Sequence, residues 1–436
     1  MKKLFDPFQR FVALESSSSI ILFLSAFIAL FWANSEFSQS YFSTWNTNLT
    51  FGIGSWTHSK PLILWINDGL MAIFFFVIGL EIKKEIVAGE LSSLQKAALP
   101  IVAATGGMVV PILIFLLLNH NLPGAEGWGI PMATDIAFSL GILQLLGKRV
   151  PLSLKIFLTA FAIVDDLGAI AVIAIFYSHQ LFWIYLIGAA AILAILIIAN
   201  MLNVNAKWLF VVGGIGVWYL FLLSGIHPTI AGVIVALTIP VNRRIGLSKY
   251  SNRLLEKAKL LECKKTPRQF LTKTQLGAIE SIEYLNRQVQ PMLQRFENSL
   301  HGFVAYFVMP IFALANAGVV FLSLSSVGDT DFTLSINLAE SMLIGKIVGI
   351  SLFSWLAIKA KIATLPKGIS FKHIIGASIL GGFGFTMSLF IGSLAYSDNA
   401  LLASGKIGIL VGSVVAGVLG YLFLRFTLPN PKVEVK

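Results

Sequence analysis

Long apolar runs separated by short polar stretches organise this chain. Twelve hydrophobic segments can be counted, at about 12–32, 61–83, 97–118, 126–146, 151–177, 181–202, 207–223, 225–240, 300–322, 335–358, 371–395 and 403–425. A helix needs about 20 predominantly apolar residues to cross a bilayer. The pattern therefore predicts an all-α polytopic membrane protein with about 12 transmembrane helices in a single transporter domain over residues 1–436. Two stretches break it. Residues 38–58, around Phe42, Trp45, Leu49, Phe51 and Ile53, are polar–aromatic and partly alternating, which predicts a small periplasmic β-hairpin. Residues 243–298 form a basic loop in which Leu276, Ile279, Ile282, Leu285 and Val289 recur at helical spacing. That spacing predicts an amphipathic helix, either on the cytoplasmic membrane surface or in a solvated linker.

The polar connections orient the spans. Lys2, Lys3 and Arg10 precede the first span; Lys83, Lys84 and Lys96 follow the second; Lys148 and Arg149 follow the fourth; and Lys207 follows the sixth. The 243–298 loop follows the eighth, Lys359, Lys361, Lys367 and Lys372 follow the tenth, and Lys432 and Lys436 close the chain. The opposite loops, 119–125, 178–180, 223–226 and 323–334, contain no Lys or Arg, with Lys60 and Lys406 as minor exceptions. Lys and Arg favour cytoplasmic loops, so both termini are expected in the cytoplasm of a bacterial cell, with the chain in its inner membrane.

Composition agrees. The 436 residues are 56% hydrophobic and only 12% charged, against about 25% charged in soluble domains. The net charge of +11 could suggest nucleic acid, but the basic residues recur in alternate loops rather than on one face. No nucleic-acid partner is expected. The single cysteine, Cys263, excludes an intramolecular disulfide and Cys/His metal sites. The basic start and the apolar run from Ile20 resemble a signal peptide, but Trp32-Ala33-Asn34 is a poor cleavage site. An uncleaved first helix is expected.

Four polar features lie at membrane depth. Asp165 and Asp166 sit together in the fifth span, roughly 20 Å from either end at ~1.5 Å rise per residue. Asp135 follows Pro131 in the fourth span, Lys346 is central in the tenth, and Leu380-Gly-Gly-Phe-Gly-Phe-Thr386 interrupts the eleventh. A charge at this depth costs about 2.5–3.5 kcal/mol on insertion scales, which makes an ion or proton site the default reading. Pro131 removes a helix hydrogen bond, and Gly381, Gly382 and Gly384 weaken the other helix at comparable depth. Spans 3–5 and 10–12 start from opposite sides, the pattern of inverted repeats whose two discontinuous helices, spans 4 and 11, cross at the midplane.

Adjacent helical residues point about 100° apart, so the two aspartates cannot face one direction. One can look toward a cation site near Thr134 and the freed carbonyls of span 4, and the other toward Lys346. Broken helices expose positive N-terminal and negative C-terminal ends, to which Asp135 and Lys346 respectively are suited. Sodium is a hard cation that carboxylate, hydroxyl and carbonyl oxygens accommodate. A group that alternates between proton and cation is the minimum chemistry of an antiporter. Outside this centre, Asp68 reads as a helix-start or funnel residue, and His227 reads equally as packing or function. Glu81, Lys83, Lys84 and Glu85 end the second span, as a solvated helix terminus would.

At these residues the sequence closely resembles the NhaA family of bacterial sodium/proton antiporters. The resemblance rests on Trp65-Ile-Asn-Asp-Gly-Leu-Met-Ala, Gly79-Leu-Glu-Ile-Lys-Lys-Glu, Ala133-Thr-Asp-Ile-Ala-Phe and Ala162-Ile-Val-Asp-Asp-Leu-Gly-Ala. It also rests on Ser224-Gly-Ile-His, Phe312-Ala-Leu-Ala-Asn-Ala-Gly, Gly345-Lys-Ile-Val-Gly-Ile-Ser and Gly384-Phe-Thr-Met-Ser, and it extends from about residue 5 to 425. The inverted-repeat pattern is itself a feature of that family, so the two are not independent.

The resemblance implies electrogenic exchange of inward-moving protons for outgoing Na⁺ or Li⁺, serving sodium and pH homeostasis without a cofactor. It implies a cation at Asp166 with Asp165, near Thr134 and Asp135, and a pairing of Lys346 with Asp165 when no cation is bound. It further implies pH sensing by a cytoplasmic cluster matching Glu81, Lys84, Glu85, Glu297 and His301, and a homodimer joined through the hairpin after span 1. Two departures stand out. The segment 243–294 is longer than the family leads one to expect, and Asn298-Ser299 follow Glu297 where the family can carry a histidine, which bears on the pH set-point.

Three rival functions share some of these features. An intramembrane aspartyl protease needs aspartates on two helices, whereas this doublet lies on one and no Gly-x-Gly-Asp motif is present. An ion channel would not couple flux to a proton gradient. A sodium-coupled solute symporter of the same inverted-repeat design is the alternative, and it would need an organic substrate. No enzymatic activity is expected.

Overall fold

Helix α1 (Ser17–Ala33) turns through 114° into α2 (Ser38–Asn46), which leads to an antiparallel pair, β1 (Asn48–Ile53) and β2 (Trp56–Pro61), in the register Asn48↔Pro61. This corrects the expectation of a hairpin over 38–58: residues 38–46 are helical, and the strands span 48–61. The aromatics explain the shift. Tyr41 and Trp45 are four apart, one turn of a helix, and Tyr41 is buried where its hydroxyl donates to the Leu314 carbonyl at 2.8 Å. The computed structural model describes residues 17–53, 56–178, 181–204, 206–261, 270–320 and 329–429. Lys2, Lys3, Arg10, Cys263, Lys432 and Lys436 fall outside them.

The long helices follow in order: α3 (Leu62–Ala88), α4 (Leu94–Leu118), α6 (Leu152–Phe176), α7 (Trp183–Met201) and α8 (Lys207–Ser224), then α12 (Met292–Asn316), α13 (Asp329–Lys359) and α16 (Asn399–Thr427). These eight are long and apolar enough to cross a membrane, and ten segments qualify among the described residues if two bent pairs, α1–α2 and α14–α15, each count once. Helices α14 (Phe371–Gly381) and α15 (Phe385–Ala395) meet at 43°.

Besides the eleventh, which is the bent pair α14–α15, two of the twelve expected spans are not single long helices. The fourth is a 3₁₀ segment (Ala125–Met132), an extended stretch and then α5 (Ile136–Leu145). The eighth is only α9 (Thr229–Thr238), because Gly225 turns the chain with φ +87° and Pro228 sets its start. The basic loop holds two helices rather than one, α10 (Leu247–Lys259) and α11 (Lys273–Val289). It also ends early: α12 begins at Met292, so Glu297 and His301 are helical.

Contacts between α4 and α13 position the centre of the molecule. Gly345 and Gly349 lie one turn apart on α13 and face Gly106 and Pro111 of α4. A Cβ on Gly345 would sit 2.5 Å from the Pro111 Cα, and one on Gly349 would collide with the Gly106 carbonyl. Small residues at this spacing let membrane helices touch through their backbones. Lys346 follows Gly345, so the close approach carries its side chain into the interior. Helix α6 packs on α4, and α16 on α13 and α14.

Candidate functional site

Asp165 and Asp166 lie mid-way along α6 with Lys346 from α13, and all three are buried. The Lys346 Nζ donates to Asp165 Oδ2 at 2.8 Å and to Thr134 Oγ1 at 2.8 Å. Thr134 in turn donates to the Gly381 carbonyl at 2.9 Å, at the C-terminal end of α14. A chain of polar contacts therefore runs from α6 through α13 and the 133–135 stretch to α14. Its members sit in a low-dielectric setting that strengthens each contact.

Asp135 occupies a second position. It is the N-cap of α5, accepting from Phe138 N at 3.1 Å, and it also accepts from Thr386 N at 3.1 Å and from the Thr386 hydroxyl. One carboxylate thus faces the N-terminal ends of α5 and α15 together, where backbone dipoles favour negative charge. Asp135 N donates to Phe383 O at 2.7 Å, Ser139 to Leu380 O at 3.0 Å, and Ser388 to Ile130 O at 3.0 Å. These bonds stitch the two interrupted segments to each other. The sequence assigns Ser139 and Ser388 no role and brings in Thr386 only within the interruption of span 11; the available signal is that each is a hydroxyl in an otherwise apolar stretch.

Asp166 faces elsewhere. It lines a cavity of about 350 Å³ that also borders Asp135, Thr386, Glu81, Lys84 and Glu297. Its Oδ1 is buried without a hydrogen-bond partner among the described residues, as is Asp165 Oδ1. Thr134 sits on the Lys346–Asp165 side rather than beside Asp166, because its hydroxyl is taken by the Lys346 ammonium. Among the described residues no three His, Cys, Asp or Glu side chains converge as a resident metal site would. A small cation here would draw on hydroxyl and carbonyl oxygens as well as the two carboxylates.

At one end of the cavity, Lys84 pairs with Glu297 at 2.7 Å, and His301 Nδ1 lies 3.9 Å from Glu81 Oε1. Glu85 lines the same cavity while accepting from Glu90 N at 2.8 Å. Asp68 and His227 are not part of this cavity. Asp68 pairs with Lys60 at 3.2 Å and lies 3.8 Å from His227 Nε2. Glu81 is 13 residues further along α3, about 20 Å at ~1.5 Å per residue. Between the two groups, Phe75, Phe312 and Phe390 are buried, the Phe390 ring in contact with both others and with the His227 ring at 5.4 Å. A reciprocal amide pair absent from the expectations, Asn67 with Asn316 at 2.9 and 3.2 Å, ties α3 to the end of α12 beside Asp68.

Fold and site together define a multi-pass membrane protein with carboxylates and an ammonium enclosed among its helices, one carboxylate reached by a cavity. The profile of the family described as Na⁺/H⁺ antiporter 1 matches residues 9–424. The chain is 48% identical to the Na(+)/H(+) antiporter NhaA of Oleidesulfovibrio alaskensis, over 99% of this chain and 96% of that one. It is 46% identical to that of Phocaeicola vulgatus, over 98% and 97%, and 44% identical to Na(+)/H(+) antiporter NhaA 1 of Saccharophagus degradans, over 97% and 92%. The chain belongs to this Na⁺/H⁺ antiporter family.

Proposed function

We propose that this protein is a secondary active antiporter, not an enzyme, that exchanges Na⁺ or Li⁺ for protons across the bacterial inner membrane by alternating access. The observation that carries the reading is the asymmetry of the doublet. Asp165 is held by Lys346, while Asp166 presents a carboxylate to a cavity with an oxygen unpartnered. A cation entering the cavity meets Asp166 first. To engage Asp165 as well it must compete with the Lys346 ammonium, whose charge already neutralises that carboxylate through Oδ2. Cation and proton thereby compete for the same carboxylates, which couples their movements. Asp135 balances the paired helix N-termini, and Thr134 guides Lys346 as it leaves and returns.

Twelve crossings result if the 125–145 segment and α9 are counted with the ten that qualify by length. Spans 3–5 and 10–12 then form inverted repeats, with the interrupted spans 4 and 11 crossing at the midplane. Basic loops put both termini in the cytoplasm. The Glu81–Lys84–Glu85–Glu297–His301 end of the cavity is then the cytoplasmic mouth and the site of activation by pH. The Asp68–His227 end is the periplasmic funnel, closed here by Phe75, Phe312 and Phe390. The 48–61 hairpin stands on the periplasmic side and joins two copies in a homodimer, and the 243–298 segment lies against membrane lipid. Transport is electrogenic and needs no cofactor. The relatives carry antiporter names throughout, and the sodium-coupled symporter alternative finds no support.

The test uses inside-out vesicles acidified by respiration, with a fluorescent ΔpH probe. Na⁺ or Li⁺ should dequench the probe with the native protein and not with Asp166→Asn. A native protein that gives no response at alkaline pH would overturn the reading.

A further inference from the structure

An apolar groove opens on the flank of the molecule between α1, α5 and α16. Its volume is about 460 Å³, within the roughly 300–1,000 Å³ range of small-molecule sites. The walls come from Phe23 and Leu24 of α1, Leu145 of α5, and Val414, Val418 and Leu422 of α16, each of them exposed. From Val414 to Leu422 the groove runs about 12 Å at ~1.5 Å per residue, close to the ~15 Å of one hydrocarbon leaflet. Its floor includes Phe138 and Phe383, the residues whose backbones bond to the Asp135 side chain and main chain.

Beyond two of the groove's walls the chain continues into basic residues. Lys148 and Arg149 lie three and four residues beyond Leu145, and Arg425 lies three beyond Leu422. Lys148 and Arg425 are exposed. None of the three forms an ion pair among the described residues; Arg425 instead donates to the Tyr421 hydroxyl at 3.0 Å. Basic residues at the cytoplasmic end of a cleft between membrane helices suit an anionic phospholipid headgroup, and the apolar channel beyond suits its chain.

We propose that this groove is a binding site for one anionic phospholipid of the cytoplasmic leaflet, its acyl chain between α1 and α16 and its phosphate on Arg425, Lys148 and Arg149. The leaflet assignment rests on the orientation proposed above; the site itself does not depend on ion exchange. Bound there, the lipid buttresses Phe138 and Phe383 and so the crossing that holds Asp135.

The full-length protein in detergent is incubated with an equimolar mixture of dioleoylphosphatidylglycerol and dioleoylphosphatidylcholine and read by native mass spectrometry. The native protein should retain one phosphatidylglycerol several-fold in preference to phosphatidylcholine. Val418→Trp, which fills the groove from an exposed position, should lose the retained lipid with an unchanged melting temperature. Arg425→Gln with Lys148→Gln and Arg149→Gln should still retain lipid but lose the preference. Equal retention of both lipids by the native protein, or undiminished phosphatidylglycerol on a folded Val418→Trp, overturns the proposal. Because the readout is lipid mass, loss of antiport in a separate assay leaves it untouched.

Discussion

Lys346 and Asp165 form an ion pair of 2.8 Å with neither side chain exposed to solvent, while Asp166, the next residue, has no ion-pair partner among the described residues. Two carboxylates adjacent in sequence are thereby given opposite electrostatic settings. The cause is helical geometry: about 100° of rotation turns one toward α13 and the other toward the cavity. The arrangement separates structural strength from availability, and mutations at the three positions should separate in the same way.

Lys346→Ala should be the most destabilising of them. Removing one partner of a buried pair costs about 3–5 kcal/mol, because the other charge is left uncompensated. Thermal unfolding in detergent should show a clear drop in midpoint. Combining Lys346→Ala with Asp165→Asn should recover much of that loss, since no lone charge remains. A melting curve unchanged by Lys346→Ala would remove the pair from any account of stability.

Asp166→Asn should behave the other way. Sodium-dependent dequenching should fall to the level of vesicles lacking the protein, while the melting midpoint moves little. Retained exchange in this variant would mean that the cation does not need the cavity-facing carboxylate.

The helical sequence pattern carried most of this in advance, and its failures have physical causes. Long apolar runs mark helices by their cost of exposure, so α3, α4, α6 and α16 emerge within a few residues. The ionisable residues stand out because the surrounding sequence is apolar. Segment 38–46 departs from the expected hairpin because Phe42 and Trp45 fit an alternating pattern only loosely, whereas Tyr41 fixes a helix through a tertiary contact with Leu314. The same is true of Thr134. Its side is decided by which ammonium reaches it, and Lys346 is 212 residues away. Likewise no local feature announces that Thr386 and Asp135 meet, 251 residues apart. Local pattern sets the elements, whereas long-range pairing sets the site.

Asp135→Ala tests that pairing. The substitution removes the cap of α5 and the acceptor for the first turn of α15 at once. A lost cap costs about 0.5–2 kcal/mol, and stranded buried donors about 1–3 kcal/mol. A combined loss of roughly 1.5–5 kcal/mol follows from these ranges. Thr386→Val removes only the hydroxyl contact and should lose about 1 kcal/mol. Equal melting midpoints for the two variants would show that Asp135 does not hold both helix ends.

Gly349→Ala probes how Lys346 is brought to depth. The added methyl meets the Gly106 carbonyl, part of a backbone that cannot rotate away. Overpacking of this kind costs about 1–3 kcal/mol, and here it also pushes α13 off α4 and shifts Lys346 relative to Asp165. The variant should show lower folded yield by size-exclusion chromatography and a lower melting midpoint. Gly302→Ala, with open space around its Cβ, should show neither. Identical behaviour of the two would mean that the α4–α13 contact tolerates separation.

Lys84→Ala addresses control rather than stability. Lys84 is about half exposed where it meets Glu297 at 2.7 Å, and partly exposed pairs contribute below about 1 kcal/mol. The melting midpoint should hardly move. Loss of the ammonium nevertheless leaves Glu81, Glu85 and Glu297 lining one cavity without the lysine charge that borders it. Uncompensated negative charge stabilises bound protons, so a given state of deprotonation is reached only at higher pH. The activation profile of Na⁺-dependent dequenching should therefore move to more alkaline pH, with its maximum retained. Glu297→Gln removes one of the negative charges instead and should move the profile the opposite way. Profiles that superimpose on that of the native protein in both variants would separate this cluster from pH activation and leave it a solvated helix end.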